Sequence, residues 1–264
     1  MPSSDQNRGL VRFHDGAPAH DHKKCSKCLS HGPELSRCTG CYEEAYCSGA
    51  CQSAHWPLHR SKCKAAKRME RRIIQVSGLQ SLMRDFQLWL EYYDAPLQNC
   101  AIAAMRLTEN PHKERDTILF IQIAYAPAHA TLPVEHKFSV ISVGRPDIEE
   151  LPQPSQFQQE TYGGYDQSQA DARLKLGDQF YGVARIGVDL CIGTSVVTER
   201  LKTVVIDKTT ARANLVRQEW WLLFREYVAA GRKMKFCCGE VPDMEGGCCC
   251  GGWAHEDEDV VGLD

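Results

Sequence analysis

Apolar residues recur every three or four positions over residues 73–93, the spacing of one face of an α-helix. These residues are Ile73, Val76, Leu79, Met83, Phe86, Leu90 and Tyr93. We expect Gly78 to interrupt the stripe, because glycine is a poor helix former. A second helix is predicted to follow, with Asp94 as its N-cap and Ala95 and Pro96 in its first turn. Its buried face would consist of Leu97, Cys100, Ala101, Ala104 and Leu107, and Pro111 lies beyond its end.

The pattern then changes to that of β-strands. Residues 117–125 form a dense apolar run, and residues 137–143 carry β-branched side chains before a Gly-Arg-Pro-Asp turn. Alternation of Ile186, Val188, Leu190 and Ile192 predicts a third strand, and residues 202–207 predict a fourth. A last helix is predicted over residues 211–230, with Gly231 as its terminator. Its apolar stripe would hold Val216, Trp220, Leu223, Phe224 and Tyr227.

These elements predict an α+β domain over residues 64–236, with helices, a small, largely antiparallel sheet and a C-terminal helix. Three segments are too polar or too rich in Gly and Pro to bury a core. They are a disordered N-terminal segment (1–24), a flexible loop over about 145–175, and a Cys/Gly-rich and acidic tail (237–264).

The charge balance argues against a protein that binds nucleic acid over its whole surface. The chain has 264 residues, with 31 Lys and Arg against 34 Asp and Glu. We find no run of about 20 apolar residues that could span a bilayer and no apolar core of a signal peptide. The expected location is therefore nuclear or cytoplasmic, where the 14 cysteines stay reduced and their clusters indicate metal or redox chemistry.

Eight potential zinc ligands lie between residues 25 and 63, in four pairs. Two pairs are Cys-x-x-Cys turns, Cys25 with Cys28 and Cys38 with Cys41. The other two have i,i+4 helical spacing, Cys47 with Cys51 and His59 with Cys63. Four pairs at four ligands per ion predict two closed structural zinc sites, although the spacing leaves open which pairs share an ion.

A segment of about 40 residues is near the limit below which an apolar core alone does not suffice. Its candidate core is Leu35, Tyr42, Tyr46, Trp56 and Leu58. We therefore expect zinc to supply the folding free energy of this segment, and chelation to unfold it.

The order of these ligands, with YCSGACQSAHWPLHRSKC at residues 46–63, resembles the MYND-type zinc finger. In that family the two sites interleave. The resemblance implies one zinc on Cys25, Cys28, Cys47 and Cys51, and the other on Cys38, Cys41, His59 and Cys63. His55 competes with His59, but His59 has the helical spacing to Cys63 and the family position.

The resemblance also implies that the finger docks a short proline-rich peptide of a partner protein. Thr39, Gln52 and Trp56 match the groove positions of the family. A proline-rich segment is already extended and loses little entropy when it packs on an aromatic ring. The alternative is that Trp56 packs the small core. We predict a zinc-dependent adaptor, with a possible role in transcriptional regulation, and no enzyme.

Two other functions stay open. Some MYND fingers lie in SET-domain methyltransferases, but we find neither a SET segment before the finger nor SET-type motifs after it. The other is a DNA-binding regulator, because residues 60–72 include seven Lys or Arg, which could contact phosphates. We instead interpret this basic run as the solvated face of a helix.

The tail has a second cysteine cluster that could form a third metal site. Its potential ligands are Cys237, Cys238, Cys248, Cys249, Cys250 and His255. Adjacent cysteines rarely bind one ion together, so buried thiols or a redox-sensitive patch are the alternatives.

Overall fold

The computed structural model describes residues 25–30, 35–107, 109–126, 128, 131–148, 164–208, 211 and 220–232. They divide into two compact units. The first, which we call the finger unit, takes in the described part of His14–Tyr92 together with Thr131–Lys137. The second, the sheet unit, takes in the described parts of Tyr93–Ala130 and Phe138–Asp264.

The finger unit begins with a short antiparallel hairpin and continues into helices. Strand β1 (Ser36–Arg37) pairs with β2 (Ala45–Tyr46), and helices α1 (Gly49–Ser77) and α2 (Leu82–Tyr92) follow. Arg37 forms an ion pair with Glu91 and so ties the hairpin to α2. The buried Asp85 carboxylate at the start of α2 accepts a hydrogen bond from Lys137 Nζ at 2.9 Å, which joins residues 131–137 to the same unit.

Helix α1 ends at Gly78, as expected from the sequence. Gly78 has a φ of 73°, a left-handed conformation, and its N–H donates to the carbonyl of Ile74 at 2.8 Å. The apolar stripe predicted over residues 73–93 therefore belongs to two helices, and its register does not continue through the break. Ile73 is buried, whereas Val76 is 77% exposed, so the prediction of a buried Val76 is wrong.

The sheet unit has a four-stranded sheet with three helices. Its helices are α3 (Asp94–Met105), α4 (Gly164–Leu176) and α5 (Trp220–Ala229), and its strands are β3 (Ile118–Tyr125), β4 (Phe138–Gly144), β5 (Phe180–Ile192) and β6 (Ser195–Asp207). The strand order is β4-β3-β5-β6, with β3 and β5 parallel and the two outer pairs antiparallel. The predicted α+β class with a small, largely antiparallel sheet is confirmed.

The core of the sheet unit lies along the two central strands and α3. Ile118, Ile121 and Ile123 of β3 are fully buried, and β5 is buried on both faces over most of its length. The five residues predicted for the buried face of α3 are all buried. Helix α3 contacts α5 and β5, while α4 contacts β5 and β6.

Several element boundaries differ from the sequence prediction. Tyr93 is the N-cap of α3, and Asp94, the first helical residue, pairs with Lys202 of β6 instead of capping the helix. Strand β6 begins at Ser195, ahead of the predicted residue 202. The loop predicted over about 145–175 contains α4 from Gly164 onward. This helix lacks an apolar stripe and buries little beyond Ala172, so hydrophobic periodicity could not reveal it.

The described C-terminal helix is shorter than predicted. It begins at Trp220, and Val216 lies outside the described residues. Gly231, with a φ of 66°, follows it as the predicted terminator. The N-terminal segment 1–24 and the tail, with its possible third metal site and acidic stretch, also lie outside the described residues. Among the described helices, none is long and apolar enough to cross a membrane.

Candidate metal centre

Two similar turns present the first four cysteines. The Leu29 N–H donates to the carbonyl of Cys25 at 2.9 Å, and the Tyr42 N–H donates to the carbonyl of Cys38 at 2.8 Å. Leu29 and Tyr42 both have positive φ, 61° and 60°. Each Cys-x-x-Cys segment therefore closes in the same way, with a left-handed residue directly after its second cysteine.

Helix α1 presents the other ligands. Cys47 lies just before the N-cap, Ser48, whose Oγ accepts a hydrogen bond from the Cys51 N–H at 3.2 Å. The cap thus holds Cys47 and Cys51 about one turn apart. Two turns further along, His59 and Cys63 lie on the buried face of the same helix.

The eight side chains form two clusters. Cys25, Cys28, Cys47 and Cys51 make the first, and Cys38, Cys41, His59 and Cys63 make the second. In each cluster the four ligand atoms lie within 4.8 Å of one another. These two clusters are the interleaved ligand sets that the family resemblance implies.

The separations within each cluster fit tetrahedral zinc. Zn–S and Zn–N bonds of about 2.3 and 2.05 Å would place two sulfurs about 3.8 Å apart, and a sulfur and a nitrogen about 3.5 Å apart. The Sγ atoms of Cys28 and Cys47 are 3.6 Å apart, and those of Cys38 and Cys63 are 3.7 Å apart. His59 Nε2 lies 3.4 Å from Cys38 Sγ and 3.6 Å from Cys41 Sγ.

These donor sets confirm the prediction of two zinc ions. Both clusters supply four soft ligands and so leave no coordination position for a water molecule, which is typical of structural zinc. The second cluster is fully buried, whereas Cys28 and Cys47 of the first cluster are exposed.

Cys25 and Cys41, one from each cluster, have thiol pKa values shifted in opposite directions. Hydrogen bonds from the backbone, first that of Cys28, outweigh burial and lower the pKa of Cys25 to about 6. Burial raises the pKa of Cys41 to about 12, against the backbone N–H groups of Glu44 and Glu43. Cys25 therefore favours the thiolate form that binds metal, while Cys41 gives up its proton only when the ion binds.

Aromatic rings surround His59. Its ring stacks on His55 at a centroid distance of 6.0 Å, and the rings of Tyr46 and Trp56 meet it edge-on at 6.3 and 5.9 Å. His55 Nδ1 is 3.0 Å from the Tyr46 hydroxyl, so His55 is engaged outside the cluster. Of the two competing histidines, the structure brings His59 to the metal cluster.

Sequence reasoning missed the role of Gly40. A Cβ atom at this position would lie 2.6 Å from Cys63 Sγ and 2.7 Å from Lys67 Cε. The second Cys-x-x-Cys turn can approach α1 this closely only because residue 40 has no side chain. A glycine between the two cysteines of such a turn was the available signal.

The three predicted peptide-binding residues lie around the clusters. Thr39, which follows Cys38, is exposed, and Gln52, which follows Cys51, is partly exposed. Trp56 lies one turn after Gln52 on α1 and is 39% exposed although its ring contacts His59. Leu58 was predicted to join the small core and is 75% exposed, so that prediction is wrong.

The basic run at residues 60–72 lies on α1, and all seven of its Lys and Arg residues are exposed. Lys62 pairs with Glu43 and Glu44, both at 3.4 Å. The interpretation of this run as a solvated helix face agrees with the structure.

Comparison with known proteins supports the same assignment. The sequence profile of the MYND finger matches residues 25–63. SET domain-containing protein 14 of Caenorhabditis elegans is 29% identical over 121 residues, which cover 37% of this chain and 28% of that protein. SET domain and MYND-type zinc finger protein 6 of Schizosaccharomyces pombe is 36% identical over 67 residues, which cover 25% of this chain and 14% of that protein. Human histone-lysine N-methyltransferase SMYD3 is 42% identical over 43 residues, which cover 16% of this chain and 10% of that protein. No solved structure matches significantly.

The prediction that the chain is not an enzyme is wrong in the light of these relatives. They carry SET domains by name or are named histone-lysine N-methyltransferases. The chain spans only 28% and 14% of the length of the first two, so the activity of the whole protein is a matter for proposal.

The ligand geometry and the family match agree on one segment of the chain and on its zinc content. A module of this kind mediates contacts between proteins. Residues 25–63 are a MYND-type zinc finger that binds two zinc ions.

Proposed function

We propose that the finger docks a short proline-rich peptide of a partner protein, and that Thr39, Gln52 and Trp56 line the docking groove. The observation that supports this most is the 39% exposure of Trp56. An exposed aromatic ring next to the second cluster offers apolar area on which a peptide can pack. We further propose that this contact serves transcriptional regulation.

The surroundings of Trp56 favour a binding role. Its ring rests against His59, whose Nε2 faces the sulfurs of the second cluster, and zinc at that cluster would hold both rings in place. A rigid aromatic surface loses little entropy on binding, and an extended proline-rich peptide loses little as well. The Gln52 amide, one turn before Trp56, can donate to peptide carbonyls that prolines leave free.

Substitution of Trp56 tests this proposal. Trp56→Ala should weaken binding of a proline-rich peptide at least about 30-fold, as expected for a central aromatic anchor. Titration calorimetry with the 264-residue chain measures this loss, and metal analysis should still find two zinc ions per chain.

Leu58→Ala is the matched control, because Leu58 is a large apolar residue of the same helix and is 75% exposed. It should bind the peptide within about twofold of the parent. Loss of zinc together with peptide binding in Trp56→Ala would identify Trp56 as a packing residue and contradict the docking role.

The comparisons favour a second candidate function, lysine methylation. We infer this from the relatives alone, since each is named for a SET domain or for histone-lysine methyl transfer. In this proposal the finger binds the protein that is to be methylated. Incubation of the 264-residue chain with histones and a labelled methyl donor should transfer label to lysine. Absence of transfer, with two zinc ions bound and the peptide-docking activity intact, would contradict it.

A further inference from the structure

A stripe of cations continues along α1 from Trp56. Arg60, Lys64, Lys67 and Arg71 follow it at intervals of three or four residues, so all five lie on one side of the helix. At about 100° per residue, the four cations deviate from one line by no more than about 40°. Trp56 lies at one end of this line and Arg71 at the other.

This cationic stripe borders the buried face of α1, and the end of Lys67 reaches Gly40 next to the second cluster. His59, Cys63 and Ile73 are the buried residues of α1, and at about 100° per residue they centre about 110° around the helix from the stripe. Arg68 and Arg72 widen the stripe on one flank. Within the described part of the chain, none of these six cations pairs with a carboxylate, whereas Lys62, on the other side of the helix, pairs with Glu43 and Glu44.

An unpaired row of like charges destabilises the helix, because cations at i,i+4 spacing repel one another. An extended anionic ligand would relieve this repulsion. The stripe begins at an aromatic ring with an amide donor one turn away, an arrangement that suits a peptide better than the phosphate backbone of a nucleic acid.

We propose that the partner of the finger is a peptide whose proline-rich core is flanked on one side by acidic residues, which lie along the cationic stripe. This inference rests on the proposed docking at Trp56 and specifies the chemistry of its ligand. Charge complementarity supports it: the row of exposed side chains that follows Trp56 on α1 carries four cations and no carboxylate.

The spacing predicts where the acidic residues lie. Arg60 and Arg71 are about 6 and 22 Å from Trp56 along the helix axis, at 1.5 Å per residue. An extended peptide advances about 3.1 Å per residue, so aspartates or glutamates are expected about two to seven residues from the proline on Trp56.

Binding of three labelled peptides to the 264-residue chain tests this inference. All three peptides share a core of four prolines and carry a flank of six residues. In the first the flank is glutamate-rich and precedes the core, in the second it is glutamate-rich and follows the core, and in the third it is glutamine-rich. One glutamate-rich peptide should bind about tenfold more tightly than the glutamine-rich peptide at low salt, since several exposed ion pairs add. This gain should largely vanish at about 0.5 M salt.

Charge variants locate the effect. Lys64→Gln with Arg71→Gln should remove most of the gain and leave binding of the glutamine-rich peptide unchanged. Lys175→Gln with Arg225→Gln is the matched control, because both residues are exposed helical cations of the sheet unit. It should keep the full gain.

Equal affinity for glutamate-rich and glutamine-rich flanks would overturn this inference and leave the docking at Trp56 standing. The inference would also be overturned if the gain survived Lys64→Gln with Arg71→Gln, or if a 20-base-pair duplex bound the stripe more tightly than any peptide. If no peptide bound in a Trp56-dependent manner, the docking function and this inference would fail together.

Discussion

Gly40 illustrates how much of the metal centre depends on a single missing side chain. Its backbone lies against α1, so any Cβ atom would overlap Cys63 Sγ and the end of Lys67. The lysine can move aside, because its end is flexible. The sulfur cannot move without leaving the second cluster, since Cys63 is one of the four ligands there.

We therefore expect Gly40→Ala to weaken zinc binding at the second cluster and to leave the first cluster loaded. Metal analysis after dialysis against a graded chelator should find one tightly held zinc ion per chain where the parent holds two. Gly49→Ala is the matched control, because a Cβ at Gly49 meets nothing within 4 Å. Two equally tight zinc ions in Gly40→Ala would contradict the steric argument.

Glu114 is a buried acid in the sheet unit, with no exposed surface. Among the described residues, neither carboxylate oxygen accepts a hydrogen bond of good geometry, and His112 Nδ1 and Arg115 Nε lie 3.5 and 3.7 Å from Oε1. Burial raises the pKa of Glu114 above its usual value of 4.5, against the lowering effect of its own backbone N–H and of His112. The folded state thus favours the neutral acid.

This shift has a defined consequence for stability. The folded state holds its proton to higher pH than the unfolded state, so the free energy of unfolding falls as pH rises above about 4.5 through the folded pKa. Gln is neutral at every pH. Glu114→Gln should therefore be more stable than the parent at pH 7.5, and the difference should shrink towards zero at pH 4.

Urea unfolding at the two pH values measures this difference. Glu109→Gln is the control, because the Glu109 side chain is 53% exposed and should give little change at either pH. A parent chain more stable than Glu114→Gln at pH 7.5 would mean that His112 and Arg115 stabilise the carboxylate by more than its burial costs.

At the scale of elements, the end of α1 depends on the left-handed conformation of Gly78. A Cβ there would meet no atom within 4 Å, so the penalty of a substitution is one of backbone conformation and not of space. Asn adopts positive φ more readily than Ala, and a β-branched residue adopts it least.

The series Gly78→Asn, Gly78→Ala and Gly78→Val should therefore lower the melting temperature in increasing order, with Gly78→Ala costing about 1 kcal/mol. Calorimetry of the zinc-loaded chain gives the order. Equal loss in all three variants would indicate that the side chains collide with a neighbour, contrary to the open space around Gly78.

The same elements explain how far the sequence predicts this fold. Ligand spacing predicted two zinc sites, because eight ligands in four pairs suffice for two closed tetrahedral ions, but the pairing came from the resemblance to the MYND-type finger. Strands β3 and β4 were predicted because their apolar runs are bounded by turn residues. Helix α4 was missed because it buries little beyond Ala172, and hydrophobic periodicity reports only buried faces.

The packing of single residues was harder to predict. Val76 and Leu58 look like core residues by type, yet both lie on exposed faces of α1. Which way a residue faces depends on where its helix begins and ends, and those ends are determined by Ser48 and Gly78. Likewise, nothing in the type of Trp56 separates packing from binding; its contact with His59 and its exposure become visible only in the folded finger.

For the whole molecule, the two units gain stability from different sources. The sheet unit buries a continuous apolar core along β3 and β5. The finger has a small core, consisting of Tyr46 and the buried cysteines with Leu35 and Ala66 packed against them. Apolar burial of that size cannot offset the conformational entropy of about 40 residues, whereas a structural zinc contributes on the order of 10–16 kcal/mol.

Removal of zinc should therefore unfold residues 25–63 and leave the sheet unit folded. Hydrogen exchange after treatment with a strong chelator should show fast exchange at Cys38, Tyr46 and Cys63, and slow exchange at Ile121 and Val188. A zinc-saturated chelator is the control for side effects of the reagent, and added zinc should restore protection. If the amides of the metal-free finger still exchanged slowly, the thiols and aromatic rings alone would keep it folded, and zinc would not be its source of folding free energy.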